Sequence, residues 1–207
     1  MDWWARMRPD AAAVVLAGDA LSYRDYKLWS DRAAAMLEAE GLQPSDRVAV
    51  LSHNSLAYCA LLMGITRAGG IVSPITFRYT PREIRAMCEP PEPRFTFAAP
   101  EFAVNAAAAG LSPLPMALVE ALREGEAATP CHDPSPDAPV VIIATSGSTA
   151  RPKGVVFTNR SMTAYAASWS VEEPQAAVNA RVISLAPLNT SAGFVQLMHY
   201  TCLGCTV

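Results

Sequence analysis

Short apolar segments alternate with longer helix-like ones along most of this chain, and this alternation constrains the fold more than any other feature. The runs at 47–51, 71–74 and 94–98 are β-rich and largely apolar, as is typical of strands buried on both faces. Helix-like segments precede and separate them, with apolar residues at helical spacing over 23–40 and an apolar stretch at 56–65. This order predicts an α/β fold with mostly parallel sheets and helices packed on both faces.

Capping residues and glycines mark where several of these elements begin and end. Gly18 and Asp19 separate two apolar segments, which predicts a small hairpin. Asn54 or Ser55 is expected to cap the apolar helix. The segment 80–83 combines a capping box with proline at the first helical position, and it therefore predicts another helix start.

The chain is expected to form two α/β layers joined by a proline-rich connection. The first layer spans 10–125, and four prolines lie close together in the connection at 126–139. The second layer spans 140–207 and begins with two predicted strands, 140–144 and 154–157.

The predicted second layer continues with one more helix, a strand and a second helix. Asn159 or Ser161 is expected to cap the first helix. A strand is predicted at 182–185 and a helix at 193–203, and the residues at 205–207 resemble the opening of another strand.

Composition restricts the class of partner. Of the 207 residues, 51% are hydrophobic and 17% are charged, which predicts a substantial core. The net charge of −3 argues against a basic nucleic-acid-binding surface and favours a small-molecule partner. The apolar runs fall far short of the ~20 residues that span a bilayer, and no secretory signal is visible. We therefore expect no nucleic acid, no membrane span and a cytoplasmic location.

The cysteines and histidines do not predict a metal site. Five cysteines form an odd set, which favours reduced thiols over a disulfide framework. Cys202 and Cys205 have redox or metal spacing, but no second such pair accompanies them, so a structural role is favoured. His53, His132 and His199 are interpreted as core or surface residues, because no carboxylate partner is apparent near His199.

The segment 145–153 carries the clearest chemical signal. It contains Thr145, Ser146, Gly147, Ser148 and Thr149, followed by Arg151 and Lys153. Hydroxyls and backbone N–H groups in a glycine-bearing turn donate to phosphate oxygens, and flanking cations offset the charge. The segment therefore predicts a polyphosphate-binding loop, with a Ser/Thr-rich surface turn as the alternative. A Walker loop, and with it a P-loop phosphotransferase, is disfavoured because Pro152 stands where glycine is required.

This segment resembles the signature of the adenylate-forming superfamily, commonly T-S-G-[ST]-T-G-x-P-K-G, which includes acyl-CoA synthetases and peptide synthetase adenylation domains. The matching residues are Thr145, Ser146, Gly147, Ser148, Thr149, Pro152, Lys153 and Gly154. Ala150 departs from the usual glycine and would stiffen the loop. Segments 21–23, 42–49 and 67–74 follow the same family order, so the resemblance covers 11–207. It implies a partial N-terminal domain of the acyl-CoA synthetase-like fold.

The resemblance also implies an activity. Members of this superfamily are ATP-dependent, AMP-forming carboxylic acid–CoA ligases, in which the carboxylate attacks the α-phosphorus of ATP with Mg²⁺ assistance. Pyrophosphate leaves, and a thiol, usually that of coenzyme A, captures the acyl-adenylate. By this resemblance, the residues that would bind the β- and γ-phosphates are Thr145, Ser146, Gly147, Ser148, Thr149 and Lys153.

A second segment resembles part of the acyl site. The residues at 187–193 lie where many relatives have P-L-F-H-x-x-G, with an aromatic residue and a histidine lining that site. Asn189 and Thr190 replace these two, whereas Gly193 matches. The resemblance makes these three residues the predicted substrate pocket. The alternative for Asn189 and Thr190 is a helix-capping turn before Gly193.

The resemblance further implies that much of the active site lies beyond position 207. Relatives carry their adenine and ribose motifs, a Mg²⁺-binding carboxylate and a catalytic lysine in later sequence. We therefore expect an N-terminal fragment that is inactive in isolation. The alternative is a non-catalytic nucleotide-binding module, in which exposed apolar edges would favour self-association into a homo-oligomer. The carboxylic acid stays open among fatty, aromatic and small dicarboxylic acids.

Overall fold

The computed structural model of the chain describes residues 1–130, 132, 135–145 and 153–207. The helices within these ranges are α1 (Asp2–Met7), α2 (Tyr23–Ala39), α3 (Leu56–Arg67), α4 (Pro81–Cys88), α5 (Pro100–Ala108), α6 (Ala117–Glu120), α7 (Asn159–Glu172) and α8 (Ser191–Leu203). The strands are β1 (Ala12–Leu16), β2 (Asp19–Ser22), β3 (Arg47–Leu51), β4 (Ile71–Pro74), β5 (Phe95–Ala98), β6 (Pro113–Pro115), β7 (Pro139–Thr145) and β8 (Lys153–Thr158).

Six of the strands form one sheet in the order β6-β5-β3-β4-β7-β8. Neighbours from β6 to β7 run parallel, whereas β8 lies antiparallel to β7. Strands from both sides of the proline-rich connection share this sheet, because β7 pairs with β4. The predicted division into layers at 126–139 stays a prediction, and the predicted mostly parallel α/β fold is confirmed.

Helices cover both faces of the sheet. On one face, Leu61 and Ile65 of α3 pack in a core that includes Val48 and Val141 of the sheet, and α2 packs outside α3. On the other face, Ile84 of α4 belongs to a second core that also includes residues of β3 and α5. Buried strands therefore lie between two helical layers, as their uninterrupted apolar sequence predicts. No helix in the described ranges is long and apolar enough to cross a membrane.

Local capping signals fix two of these helices. The Ser55 hydroxyl accepts from the Tyr58 N–H at 3.0 Å, so Ser55 rather than Asn54 caps α3. At the start of α4, the Thr80 N–H donates to the Glu83 carboxylate at 2.8 Å, and the Thr80 hydroxyl accepts from the Glu83 N–H. The predicted capping box is confirmed.

The predicted cap of α7 is wrong by one or more positions. Thr158 caps this helix, and its hydroxyl accepts from the Ser161 N–H at 3.2 Å. The Thr158 N–H in turn donates to the Ser161 hydroxyl at 2.9 Å. Ser161 thus closes a capping box, because a hydroxyl at the third helical position can reach back to the cap.

The strand predicted at 182–185 does not form. A single bridge pairs Arg181 with Thr206, and the extended segment that follows it has no ladder partner within the described residues. Its apolar pattern is that of a strand, but a strand requires a neighbour that satisfies its N–H and C=O groups.

The predicted hairpin is confirmed. β1 and β2 pair antiparallel, and Leu16 lies opposite Asp19. Ala17 and Gly18 form the turn with φ angles of +52° and +85°, which matches the positive φ values that two-residue hairpin turns require.

Candidate functional site

The two ends of the predicted phosphate loop lie side by side in the sheet. β7 is a buried strand that ends at Thr145, and β8 begins at Lys153. Thr145 and Lys153 are direct partners across the antiparallel pair. The intervening predicted ligands Ser146, Gly147, Ser148 and Thr149 lie outside the described residues. The strands therefore place the lysine beside the point where the hydroxyl-rich segment leaves the sheet.

Gly154 keeps this pair of strands close together. It lies opposite Ala144, and a Cβ atom on it would lie 2.7 Å from the Cγ2 atom of Ile142. A side chain at this position would force the Ile142 side chain or the neighbouring backbone to shift next to Lys153. Close packing against Ile142 therefore explains why a glycine follows the lysine of the matched signature in this chain.

A concave groove lies between α7, α8 and the end of β8. Its volume is about 370 Å³, and its lining is mostly apolar. The lining residues are Phe157, Ser161, Met162, Tyr165, Ser191, Ala192, Val195 and Gln196. Small-molecule sites are typically concave and mostly apolar with a few polar groups, and this groove has that character.

Thr190 and Gly193, predicted for the substrate pocket, organise the first turn of α8. The Thr190 hydroxyl accepts from the Gly193 N–H at 3.2 Å and donates to the Pro187 carbonyl at 2.7 Å. A Cβ atom on Gly193 would collide with the Pro187 carbonyl and would lie 2.8 Å from the Ala186 carbonyl. The helix-capping alternative is therefore confirmed for Thr190, and the pocket role of both residues stays a prediction.

Asn189, the third predicted pocket residue, is a buried amide without a partner. It is 7% exposed, and neither its Oδ1 nor its Nδ2 atom makes a hydrogen bond in the described part of the chain. A buried polar group without a partner costs about 1–3 kcal/mol. This amide therefore has hydrogen-bonding capacity that the described part of the chain does not use.

Asn54 holds the segment that carries these residues. Its Oδ1 atom accepts from the Leu188 N–H at 2.8 Å, and its Nδ2 atom donates to the Ala186 carbonyl at 3.4 Å. The sequence suggested only a helix cap here. The role of Asn54 could not be predicted, because its contact joins positions far apart in the chain. The one local signal is that Asn54 is a second potential capping residue directly before Ser55.

Comparison with known families connects this geometry to a lineage. The sequence model of the AMP-binding enzyme family matches residues 1–207. The chain belongs to the AMP-binding enzyme family. The resemblance noted for segments 145–154 and 187–193 is therefore part of a match over the whole sequence.

Two curated members of the AMP-binding family show the degree of likeness. The fatty acid–[acyl-carrier-protein] ligase ScoC of Streptomyces coeruleorubidus is 34% identical over 166 residues, covering 76% of this chain and 32% of ScoC. A feruloyl-CoA synthase of Amycolatopsis sp is 34% identical over 190 residues, covering 89% of this chain and 37% of that enzyme. The chain spans about a third of the length of these relatives.

Solved structures establish the fold of this AMP-binding chain. The inhibitor-bound N-terminal domain of FACL13 from Mycobacterium tuberculosis matches with a TM-score of 0.88 at 24% identity, covering 100% of this chain and 55% of that one. VinN matches with a TM-score of 0.89 at 23% identity, covering 99% and 54%. The fold is that of an acyl-CoA synthetase-like N-terminal domain.

His199 and Cys59 of this AMP-binding chain lie in buried surroundings. His199 is 3% exposed and packs edge-on against the rings of Tyr165 and Tyr200. Neither ring nitrogen of His199 has a hydrogen-bond partner among the described residues. Burial lowers the pKa of His199, and the charge of Glu173 opposes that shift. Burial also raises the pKa of the Cys59 thiol to about 12, which makes it a poor nucleophile.

Cys202 and Cys205 are not joined by a disulfide. Both thiols are free; Cys202 is exposed, whereas Cys205 is buried and donates to the Ala177 carbonyl at 3.3 Å. Across the described ranges, no cluster of His, Cys, Asp and Glu is arranged to hold a metal ion.

Proposed function

We propose that this chain is the N-terminal part of an ATP-dependent, AMP-forming carboxylic acid–CoA ligase. In this proposal, the segment 145–153 binds the β- and γ-phosphates of ATP. The observation that carries it is the pairing of Thr145 with Lys153, which sets a cation beside the start of a run of hydroxyls. The whole-chain match to the AMP-binding family supports the same assignment.

The chemistry follows from where charge develops. A substrate carboxylate attacks the α-phosphorus of ATP, the bond to the bridging oxygen breaks, and pyrophosphate leaves with the negative charge. Preorganised hydroxyl and N–H donors, together with the Lys153 ammonium, stabilise that charge; the loss of one such donor can cost about 10²–10³ in rate. The thiol of coenzyme A then captures the acyl-adenylate and AMP leaves.

The proposal assigns no step to a metal ion. Mg²⁺ would neutralise phosphate charge in such a reaction. The proposed phosphate ligands are Thr145, Ser146, Gly147, Ser148, Thr149 and Lys153.

The substrate side of the proposal rests on Asn189. Its partnerless buried amide fits a carboxylic acid that carries a second polar group, whereas Thr190 and Gly193 hold the turn that positions it. In the longer protein, we expect Asn189→Leu to weaken kcat/KM for polar acids about 10- to 100-fold and to spare alkyl acids, since a buried hydrogen bond discriminates by about 1–3 kcal/mol. A carboxylic acid panel measures this, and equal losses across the panel would contradict it.

The phosphate role is tested by separating the half-reactions. In the longer protein, Lys153→Ala and Thr149→Ala should lower adenylation, measured as ATP–pyrophosphate exchange, about 10²-fold or more. Both variants should leave thioester formation from supplied acyl-adenylate nearly unchanged. Arg24→Ala serves as the control, because this exposed cation pairs with Asp10. Equal losses in both half-reactions would argue against phosphate binding.

The 207-residue chain alone is proposed to make no acyl-adenylate at a useful rate. Acid-dependent conversion of ATP to AMP and pyrophosphate by this chain would contradict that.

A non-catalytic, self-associating module is the second candidate, and the exposed apolar side chains of Ile183 and Leu185 favour it. The reading frame separates the two, because a ligase requires further sequence after Val207.

A further inference from the structure

Asn54 lies in the loop that connects the end of β3 to the start of α3. β3 lies between β5 and β4 in the sheet, and its residues 48–50 are fully buried. The residue after Asn54, Ser55, caps α3 by accepting from the Tyr58 N–H. The backbone of Asn54 is therefore held on both sides, by a buried strand and by a capped helix, which suits a residue that positions another part of a site.

The Asn54 amide bonds to the backbone on both sides of Pro187. Its Oδ1 atom accepts from the Leu188 N–H at 2.8 Å, and its Nδ2 atom donates to the Ala186 carbonyl at 3.4 Å. An amide can make both bonds because it carries an acceptor and a donor on the same carbon, whereas a carboxylate only accepts. The Asn54 side chain thus bonds to 186–188 as a neighbouring backbone would.

The chain before Pro187 has few other attachments. The segment 183–185 makes no backbone hydrogen bond among the described residues. One of its side chains is held, since the Ser184 hydroxyl donates to the Gln196 side-chain oxygen at 2.9 Å. Within the described ranges, the Asn54 amide therefore makes the first bonds to the backbone itself on the approach to Pro187.

On its other side, Pro187 is tied to the first turn of α8. Its carbonyl accepts from the Thr190 hydroxyl at 2.7 Å and from the Thr190 N–H at 3.0 Å. Leu188 and Asn189 lie between these anchors and are 6% and 7% exposed. The position of the buried Asn189 amide is thus set from two sides, by the Asn54 amide and by Thr190.

We propose that Asn54 is a positioning residue for the acyl site of the longer protein. It holds the turn 186–190 so that the Asn189 amide meets the second polar group of the carboxylic acid. The inference rests on the proposed function and deepens the role given there to Asn189. Without the Asn54 amide, the turn samples more positions, and an acid with a second polar group loses more than an alkyl acid does. ATP binding is spared, because the pairing of Thr145 with Lys153 does not involve this turn.

A double-mutant cycle in the longer protein tests this inference. The measured quantity is kcat/KM for an acid with a second polar group divided by kcat/KM for an alkyl acid, both from ATP–pyrophosphate exchange. We expect Asn54→Ala to lower this ratio about 3- to 10-fold, through KM of the polar acid, and to leave KM for ATP unchanged. In the Asn189→Leu background, Asn54→Ala should change the ratio no further, since the group that it positions is absent.

Two controls separate positioning from general stability. Asn159→Ala removes a comparable bond, from an amide to the Ser135 carbonyl at 3.1 Å, and should leave the ratio unchanged. In the 207-residue chain, hydrogen exchange of the Leu188 N–H is measured by NMR, and the Val50 N–H in β3 reports that the fold is intact. Leu188 exchange should be about 3- to 10-fold faster in Asn54→Ala and close to the parent rate in Asn54→Asp, which keeps the acceptor.

Separate outcomes bear on the inference and on the proposed function. Additive effects of Asn54→Ala and Asn189→Leu on the ratio would overturn the inference alone. Equal Leu188 exchange in Asn54→Ala and Asn54→Asp, with Val50 protected in both, would have the same consequence. If the parent longer protein shows no acid-dependent ATP–pyrophosphate exchange, the proposed function fails and the inference fails with it.

Discussion

Gly193 shows how a single atom constrains the loop that carries the predicted pocket. A methyl group there would strike the Pro187 and Ala186 carbonyls, which are backbone atoms that Asn54 and Thr190 hold in place. We expect Gly193→Ala to lower the free energy of unfolding by about 1–3 kcal/mol, as overpacking does. Urea denaturation measures this, and Ser191→Ala in the same turn is the control. Equal stability of the two variants would contradict the packing argument.

His199 gives the chain a pH dependence whose sign is fixed by burial. Its pKa is lowered in the folded chain, so the unfolded chain binds a proton first as the pH falls. The free energy of unfolding should therefore decrease as the pH falls through and below 6.5. His199→Leu should reduce the difference in stability between pH 7.5 and pH 5.5. His53→Asn, at an exposed histidine, is the control, and an equal reduction in both variants would contradict the assignment to His199.

At the scale of elements, a buried ion network joins α2 to α3. The Asp31 carboxylate, 1% exposed, contacts the Lys27 ammonium and the Arg67 guanidinium at 2.5 Å each, and Arg67 also binds Asp2 of α1 at 2.7 Å. These contacts fix the packing of the helical layer over the sheet. Because Asp31 is buried, removing one of its two cations leaves its charge less well compensated and should destabilise the fold.

We expect Arg67→Ala to cost about 3 kcal/mol of unfolding free energy, since it leaves the buried Asp31 carboxylate with Lys27 as its remaining cation and removes the partner of Asp2. Arg24→Ala removes an exposed pair with Asp10 and should cost no more than about 1 kcal/mol. Guanidinium denaturation of both variants gives the comparison. Similar losses for the two would show that the Asp31 site is well solvated, contrary to this argument.

The elements also show what the sequence could predict. Helix starts at Ser55 and Thr80 depend on contacts within three residues, so local patterns place them correctly. The antiparallel direction of β8 depends on pairing with β7, and the Asn54 contact depends on residues more than a hundred positions away. No local pattern contains these long-range partners. The predicted strands at 140–144 and 154–157 stopped one residue short of Thr145 and Lys153, and the pairing of these two residues required the sheet.

At the scale of the whole molecule, the exposed apolar surface is unevenly distributed. Ile183 and Leu185 belong to the segment 183–185, which makes no backbone hydrogen bond among the described residues and borders an apolar groove of about 340 Å³. Val104, 77% exposed, lies on the outer face of α5. Isolated exposed side chains are ordinary on protein surfaces, but an apolar edge with free N–H and C=O groups favours association. The chain alone should therefore self-associate through the groove and not through α5.

Sedimentation velocity tests this difference. We expect the weight-average sedimentation coefficient of the chain to rise with concentration, and Leu185→Lys to reduce that rise because a buried lysine opposes burial of the edge. Val104→Lys makes the same chemical change at a similarly exposed site and should behave like the parent chain. An equal reduction by both variants would indicate a general charge effect.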